Sequence, residues 1–581
     1  MYTTGKFFHA ALALACMVMA TAVSGNPQGD ETNEPVMAQP EPYTDIPTQV
    51  LGTPLLAPEA LAQFYRNRKS RLAWTDPDQW QQLIAAIADA GDDGLSPLDY
   101  HWDLLSELEQ RNPEQIPPEL LADLDLVFSD AFLVFASHLQ GGKVNPRTLD
   151  PEWHVTRRQQ ELTDLLDMAL ASGNITSALN SLRPSFPAYT RLVQARRDMM
   201  QWIDEPWDML PDGPSIRPGD SDPRIPSIRH RLILLGDLQK PARAPAEPET
   251  YTDLMVTAVP LFQARHGLEP DGIIGRDTLT ALNMMPVERI RQIDASLERW
   301  RWLPRNLGDR FVIVNIAGYE LRMIDHGREV LRKRVIVGQP YRQTPLFNDR
   351  IRYLVINPTW TVPRSLMIHD QLPRIIRDPG YLERMKIQVF RGWGKDRVQV
   401  DPATIDWASL SVNNFPYQLI QQPGPRNALG RIKFMFPNKH AIYLHDTPSQ
   451  GLFSNNERSA SSGCIRVEQP FELADALLAG DPQWSPQTLR KVLDSGESRK
   501  AVLQTPVPVY LQYWTAWIDD AGLRQFRTDI YNRDARLLAR LYSTPAEAGY
   551  PVPRATGSAT PGNPGQSASA GTILMEDKSI Y

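Results

Sequence analysis

The chain has 581 residues, of which 42% are apolar and 22% charged, and a formal net charge of −7. That length exceeds what one hydrophobic core supports and predicts about three domains; the acidic balance excludes a general nucleic-acid binder, which needs a basic surface. Proline is frequent, at 51 residues, or roughly 9% against a usual ~5%, and predicts many ordered loops and linkers.

Residues 1–25 carry Lys6, the apolar run Phe7 to Val23 and the small residues Ala20-Thr21-Ala22. This pattern reads as a secretory signal peptide. The run is short for a membrane helix, whose lower limit is ~17 residues, so an uncleaved N-terminal membrane anchor is the other reading. A lipoprotein site at Cys16 lacks a Leu three residues earlier. Residues 26–48 are rich in Pro, Glu, Gln and Asn and read as a flexible linker. No later stretch is apolar and long enough to span a bilayer, so the body is expected to be exported.

Residues 49–246 read as a helical domain. Leu121, Leu124, Val127, Ala131, Val134, Phe135 and Leu139 recur at helical spacing, and Gly141-Gly142 ends the run. His101 and His138 lack the paired spacing of metal ligands. No metal site and no cofactor are expected. Residues 247–289 read as a small helical module. Phe262 closes one apolar face, Gly267 breaks the helix, Asp271-Gly272 turns the chain, and Gly275 leads into a helix with Asp277 or Thr278 at its start.

The span 290–545 opens with a connecting helix, Ile290 to Trp302, and then turns to β character. Phe311 to Ile316, Tyr319 to Ile324, Val330 to Val337 and Tyr353 to Pro363 read as strands. Residues of about 365–423 interrupt them with helix signals, turns, Trp393 and Trp407. They are read as an inserted cap that holds substrate and excludes water; a surface elaboration without catalytic effect is the competing reading. Pro437-Asn438 turns into the strand carrying His445. Phe471 to Leu478 reads as a helix, Tyr510 to Ile518 as a strand and Arg533 to Leu541 as a helix. Residues 546–581 are mostly Gly, Ser, Ala and Pro and are expected to be a disordered tail.

The chemistry concentrates in two short stretches. Ile442-Tyr443-Leu444-His445-Asp446-Thr447-Pro448 precedes Ser461-Ser462-Gly463-Cys464-Ile465-Arg466-Val467, with the Cys 19 positions after the His. Cys16 and Cys464 are the two cysteines. Removal of the leader makes Cys464 a lone thiol, either intermolecularly paired or reactive. A single Cys is commonly a small buried hydrophobe, and a single His a structural residue. Together, in this setting, they suit a thiolate nucleophile and its base. A nearby imidazolium is expected to lower the thiol from its usual ~8.5. Backbone N–H groups around Gly463 and Cys464 are the expected oxyanion hole, with Gly463 permitting the tight turn. Asp446 follows His445 directly on a strand, so its side chain should face the other way; a backbone carbonyl is the expected partner that orients His445. Tyr443 is two residues earlier, on the same face as His445, and either lines the pocket or packs.

These stretches resemble the catalytic motif of the L,D-transpeptidases (the YkuD-type domain). That motif has a His on a strand, a long loop, then Ser/Thr, His or Ser, Gly, Cys, an apolar residue and Arg or Asn. Ser462 stands where many members have a second His, as in the large multidomain periplasmic branch. Asn357-Pro358-Thr359-Trp360-Thr361-Val362-Pro363 and Pro423-Gly424-Pro425-Arg426-Asn427-Ala428-Leu429-Gly430 resemble two further elements of the domain. Phe262 to Leu282 resembles a peptidoglycan-binding domain, by which it either binds the wall or serves as a packing spacer. Phe64 to Trp74, Gly94 to His101 and His138 to Val144 resemble the scaffold domain of the large enzymes.

The resemblance implies a multidomain fold with three parts: a helical scaffold, a small three-helix peptidoglycan-binding module, and a mostly β, sandwich-like catalytic domain with an inserted cap. It implies a periplasmic cysteine acyltransferase without cofactors. Cys464 would be the nucleophile, His445 the base and Gly463 part of the oxyanion hole. Tyr443, Ser462 and Arg466 would contact substrate, Arg466 through a substrate carboxylate, with a structural salt bridge as the alternative for Arg466. Such enzymes take peptidoglycan tetrapeptide stems, release D-Ala and form 3→3 cross-links to a diaminopimelate side-chain amine. Carbapenems are the implied inhibitors, and other wall-synthesis enzymes are candidate partners. A carboxypeptidase on the same scaffold and an inactive wall-binding protein are the alternatives. The chain has no His-Glu-x-x-His and no Ser-x-x-Lys, which disfavours metalloprotease and penicillin-binding-type serine chemistry.

Overall fold

A computed structural model describes residues 46–108, 116–149, 161–243 and 246–545. The expected signal peptide or anchor, nearly all of the linker and the expected tail lie outside the described residues. Among those described, no helix is long and apolar enough to cross a membrane.

The N-terminal domain is helical, as its 3.6-residue periodicity requires. Its centre is α1 (Pro118–Gly141), buried on every side from Leu124 onward. Phe128, Phe132 and Phe135 are fully enclosed, each side chain worth about 1.5–3 kcal/mol of transfer free energy. The helix ends at Gly142, as the Gly-Gly pair predicts. Asp125 and Asp130 are buried on α1 and act as braces. Asp125 accepts from the N–H groups of Ala73 and Trp74 and from the Tyr65 hydroxyl, and Asp130 accepts from Ala57 N–H and meets His101 Nε2 at 2.7 Å. His138 Nδ1 meets the Tyr100 hydroxyl at 3.0 Å. Both histidines therefore have structural partners.

The small module has three helices, α2 (Ile225–Leu234), α3 (Asp253–Arg265) and α4 (Arg276–Asn283). One apolar core joins Ile225, Ile228 and Leu232 to Met255, Phe262, Ile274 and Leu282. Its first helix thus precedes residue 247, where the sequence reading begins the module; α3 and α4 alone leave their shared apolar face uncovered.

Helix α5 (Pro286–Arg301) is the spine between the domains. Its Arg289, Asp294, Glu298, Arg299 and Arg301 are all buried. Arg301 pairs with Glu298 at 2.6 Å, Arg299 with Asp534 at 2.5 Å, and Asp294 with Arg196 at 2.6 Å. Glu298 also accepts from Val144 N–H at 2.7 Å, which ties the helical domain to the spine.

The C-terminal domain is built on nine strands: β1 (Arg310–Asn315), β2 (Glu320–Asp325), β3 (Arg328–Gly338), β4 (Phe347–Ile356), β5 (Ile432–Met435), β6 (Leu444–His445), β7 (Ser459–Ser461), β8 (Ile465–Val467) and β9 (Arg499–Gln512). Their order is β7-β3-β8-β6-β5-β4-β9-β1-β2, and β2 pairs back to β3, so the sheet curls closed. β6 and β8 are parallel, and β5 and β6 antiparallel. Alternation puts Ile432, Phe434, Leu444, Ile465 and Val467 into the interior. β9 starts well before Tyr510, where the sequence reading begins its strand. A register shift between Val502 and Val507 lets the chain accommodate Pro506 and Pro508 while it pairs with β4 on one side and β1 on the other. The helix Arg533–Leu541 closes the domain.

The interruption after Ile356 is a subdomain in its own right. The strands Trp360–Thr361, Tyr417–Gln421, Ile387–Arg391 and Val398–Val400 form a separate sheet in that spatial order. Val362, Met367, Leu372, Ile375, Val389 and Leu419 pack beneath it as a separate core. Asn427 binds the returning chain to its departure point, donating to the carbonyls of Pro358 and Gln422 at 3.0 Å each.

Candidate active site

The register of β6 against β8 assembles the site. Leu444 lies beside Ile465 and His445 beside Arg466, and Ile465 N–H donates to the Tyr443 carbonyl at 3.1 Å. Tyr443 and Cys464 are therefore neighbours one step earlier. Leu444 and Ile465 point into the core, so Tyr443, His445, Cys464 and Arg466 share the opposite face. Lys433 on β5 lies directly across from His445 and extends that row.

The thiol of Cys464 is free and half-buried. Its Sγ lies 3.7 Å from the carbonyl of Ala441. The Tyr443 side chain neighbours both the sulfur and the Trp360 side chain. Burial pushes the thiol pKa up, against the opposing pull of Tyr443, Lys433 and Arg466. Burial and the adjacent Arg466 push the imidazole of His445 down to about 3. Neither direction favours a thiolate–imidazolium pair at rest, which departs from the expectation of a thiol lowered by an imidazolium: burial opposes both charges, and Arg466 and Lys433 oppose a further positive charge on the ring.

His445 Nδ1 meets the backbone carbonyl of Asp446 at 2.5 Å. A carbonyl only accepts, so Nδ1 donates to Asp446, and the Leu429 carbonyl is a second backbone neighbour of the ring. The orienting partner is a backbone carbonyl, as the strand geometry predicts. The Asp446 carboxylate faces away and accepts from Arg431 N–H at 2.8 Å and from Gln450 at 3.0 Å. It presses on Gly430, whose φ of 62° and missing Cβ make room for it.

Gly463 has φ 116°, a conformation an L side chain resists. Its N–H donates to Ser461 Oγ at 3.1 Å, and that hydroxyl donates to the Cys464 carbonyl at 2.6 Å. The Gly463 N–H is therefore engaged, while the Cys464 N–H has no acceptor among the described residues. Ser462 is exposed and takes a hydrogen bond from Arg342 at 3.1 Å. Arg342 also forks onto Asp370 of the cap at 2.7 and 3.0 Å, which links the cap to the Cys464 loop.

Tyr443 stands against the His445 ring at 5.6 Å between centroids, and Lys433 Nζ lies 3.9 Å from its ring centre. Arg466 has no ion pair among the described residues, and its buried Nε has no hydrogen-bond partner. No structural salt bridge accounts for it. Lys433 and the Trp360 contact were not read as site features in the sequence. The turn at Pro437-Asn438 holds the signal for Lys433, because a hairpin centred near residue 439 sets it opposite His445. No group of three or more His, Cys, Asp or Glu side chains suited to a metal occurs among the described residues.

Comparison with known families matches residues 309–488 to the "L,D-transpeptidase catalytic domain" model. Residues 309–488 form a YkuD-type L,D-transpeptidase catalytic domain. It is accompanied by a "Scaffold domain" match over 59–195 and a "Putative peptidoglycan binding domain" match over 221–282, the latter including α2. A Haemophilus influenzae protein named "Putative L,D-transpeptidase" is 39% identical over 226 residues, which span 39% of this chain and 45% of that one. The chain thus matches less than half the length of this curated relative. Among solved structures, an L,D-transpeptidase from Stackebrandtia nassauensis is 12% identical, with 53% of this chain and 96% of that one covered at a TM-score of 0.19. One from Xylanimonas cellulosilytica is 14% identical, with 52% and 100% covered at 0.17. In this L,D-transpeptidase domain the cap and the Cys464 loop meet through Arg342, and Tyr443, His445 and Arg466 lie on the strands beside them.

Proposed function

We propose that the protein is an exported, periplasmic L,D-transpeptidase that forms 3→3 cross-links in peptidoglycan through a thioester on Cys464. The observation that carries this reading is the shared face of Cys464, Tyr443, His445 and Arg466, with His445 oriented by the Asp446 carbonyl. The His445 imidazole takes the thiol proton as Sγ attacks the diaminopimelate carbonyl of a tetrapeptide stem. Because neither shift favours a charged pair at rest, proton transfer accompanies attack. The Tyr443 hydroxyl stabilises the sulfur anion, and the Cys464 N–H meets the developing oxyanion. The imidazolium then protonates the departing D-Ala nitrogen, which leaves the thioester. A diaminopimelate side-chain amine of a second stem attacks next. His445 accepts its proton, and the thiol is regenerated as the new amide forms.

Arg466 supplies a guanidinium fork for a stem carboxylate. Its buried, unpartnered Nε supports this role. The module of α2 to α4 holds the chain on the wall, and a carbapenem ring is a competing electrophile for the same thiol. The test is mass spectrometry of products after incubation of residues 26–581 with tetrapeptide muropeptides. Cross-linked dimers lacking one D-Ala, and absent with Cys464→Ala, are the expected result. Free tripeptides alone would instead establish an L,D-carboxypeptidase, and unchanged muropeptides a wall-binding protein.

A further inference from the structure

The Gly463–Cys464 peptide is held from outside its own loop. Thr344, between β3 and β4, is fully buried. Its hydroxyl meets the Gly463 carbonyl at 2.7 Å and the Gly338 N–H at 2.9 Å. An N–H only donates, so the Thr344 oxygen accepts from Gly338 and its single proton goes to the Gly463 carbonyl. Thr344 is itself fixed. Its N–H donates to the Tyr531 hydroxyl at 3.3 Å, that hydroxyl donates to the Gly338 carbonyl at 2.5 Å, and Arg533 donates to the Thr344 carbonyl at 3.1 Å. The Tyr531 ring stacks on Tyr513.

In a trans peptide the C=O and N–H point in opposite directions. Anchoring the Gly463 carbonyl on Thr344 therefore turns the Cys464 N–H away from Thr344, where no acceptor among the described residues meets it. Ser461 holds the two adjoining peptides by their Gly463 N–H and Cys464 carbonyl. Among the described residues, the peptide between is supported from outside its loop by the Thr344 hydroxyl.

We propose that Thr344 is a positioning residue for acyl transfer, which holds the Cys464 N–H in place as the oxyanion donor. The proposal rests on the reading of Cys464 as the acylated nucleophile. It predicts a separation between two reactions of the same sulfur. Acylation by imipenem forms the S–C bond and breaks the lactam C–N bond, with the thiol proton passing through His445 to the lactam nitrogen, and it passes through an oxyanion. Alkylation by iodoacetamide displaces iodide and develops no oxyanion.

The test compares wild type, Thr344→Val and Thr344→Ser in the full chain, by intact-mass rates for both reagents across pH. Thr344→Val should acylate about 10–100-fold more slowly, somewhat less than the ~10²–10³ lost when an oxyanion donor is removed outright. Its alkylation rate and pH profile should stay within about twofold of wild type, while Thr344→Ser recovers most of the acylation. If Thr344→Val does not fold, Tyr531→Phe, which removes the hydroxyl bracing Thr344, should show the same separation at a few-fold. Wild-type acylation in the Val variant, or equal slowing of both reactions, overturns the positioning role. No imipenem adduct on wild-type Cys464 overturns the nucleophile reading beneath it, a result distinguishable from either.

Discussion

Helix α5 and the catalytic face both bury arginine, with opposite treatment. On α5, Arg301 is enclosed with Glu298, and it donates further to the Asp93 carbonyl and the Tyr189 hydroxyl. Arg299 meets Asp534. Arg289, which has no carboxylate, donates to the Ala281 carbonyl, meets His266 and lies on the Phe526 ring; burial still pulls it down to about 9. On the catalytic face Arg466 has no such partner, and burial lowers its pKa too. A desolvated charge without a partner costs folding free energy. On α5 the buried guanidinium groups are held by carboxylate, carbonyl or ring partners that join the domains; at Arg466 the proposed partner is a ligand carboxylate.

One pair of variants separates the two kinds of arginine. Arg301→Met strands the Glu298 carboxylate and should lower unfolding free energy by about 3–5 kcal/mol, with the activity of the folded fraction unchanged. Arg466→Met strands nothing. It should leave urea unfolding at or above wild-type stability, while kcat/KM for tetrapeptide stems falls about 10–100-fold, the range of one charge-assisted hydrogen bond. A destabilised Arg466→Met with unaltered kcat/KM would reverse the assignment.

A second prediction sharpens the reading of the same face. His445→Gln removes the base and should lower acyl transfer about 10²–10⁴-fold. It should also relieve acid sensitivity, by the following linkage. His445 is held down to about 3, so between ~6.5, its unfolded value, and about 3 the unfolded chain binds a proton that the fold does not. Stability from this site is complete above ~6.5 and is lost as pH falls through that window. Urea unfolding of wild type and His445→Gln should converge toward pH 5, with the wild type falling more steeply from pH 7. The smallest effect concerns the thiol. Since Cys464 is raised and no imidazolium accompanies it, its alkylation by iodoacetamide should rise only above the ordinary thiol range of ~8.5, without an inflection near 6.5. A fast, flat rate from pH 5 upward would indicate a preformed ion pair.

Much of this face was legible from residue spacing. A two-residue period puts Tyr443 with His445 and Cys464 with Arg466, and it turns Asp446 away. The helix Arg533–Leu541 has the bounds its pattern predicts. What the sequence concealed depends on distant partners. The pairing of Lys433 with His445 is hinted at by the Pro437-Asn438 turn, but its register appears only once the hairpin closes. Thr344 meets Gly463 from 119 positions away, with no local signal. The early part of β9 is masked by Pro506 and Pro508, which argue against a strand until the bulge is seen. The first helix of the small module lies upstream because its core closes in space. The direction of the Cys464 shift follows from burial against the pull of Arg466 and Lys433, and that of His445 from burial with their help, which spacing alone does not reveal.

The most direct measurement is to trap the acyl-enzyme. The full chain is mixed with a tetrapeptide stem, quenched in acid, and examined by intact mass and peptide mapping. The account predicts an adduct of the stem less one D-Ala, carried as a hydroxylamine-labile thioester on Cys464 and missing from Cys464→Ala. Product formation with the adduct on another residue, or undiminished product from Cys464→Ala, would contradict it.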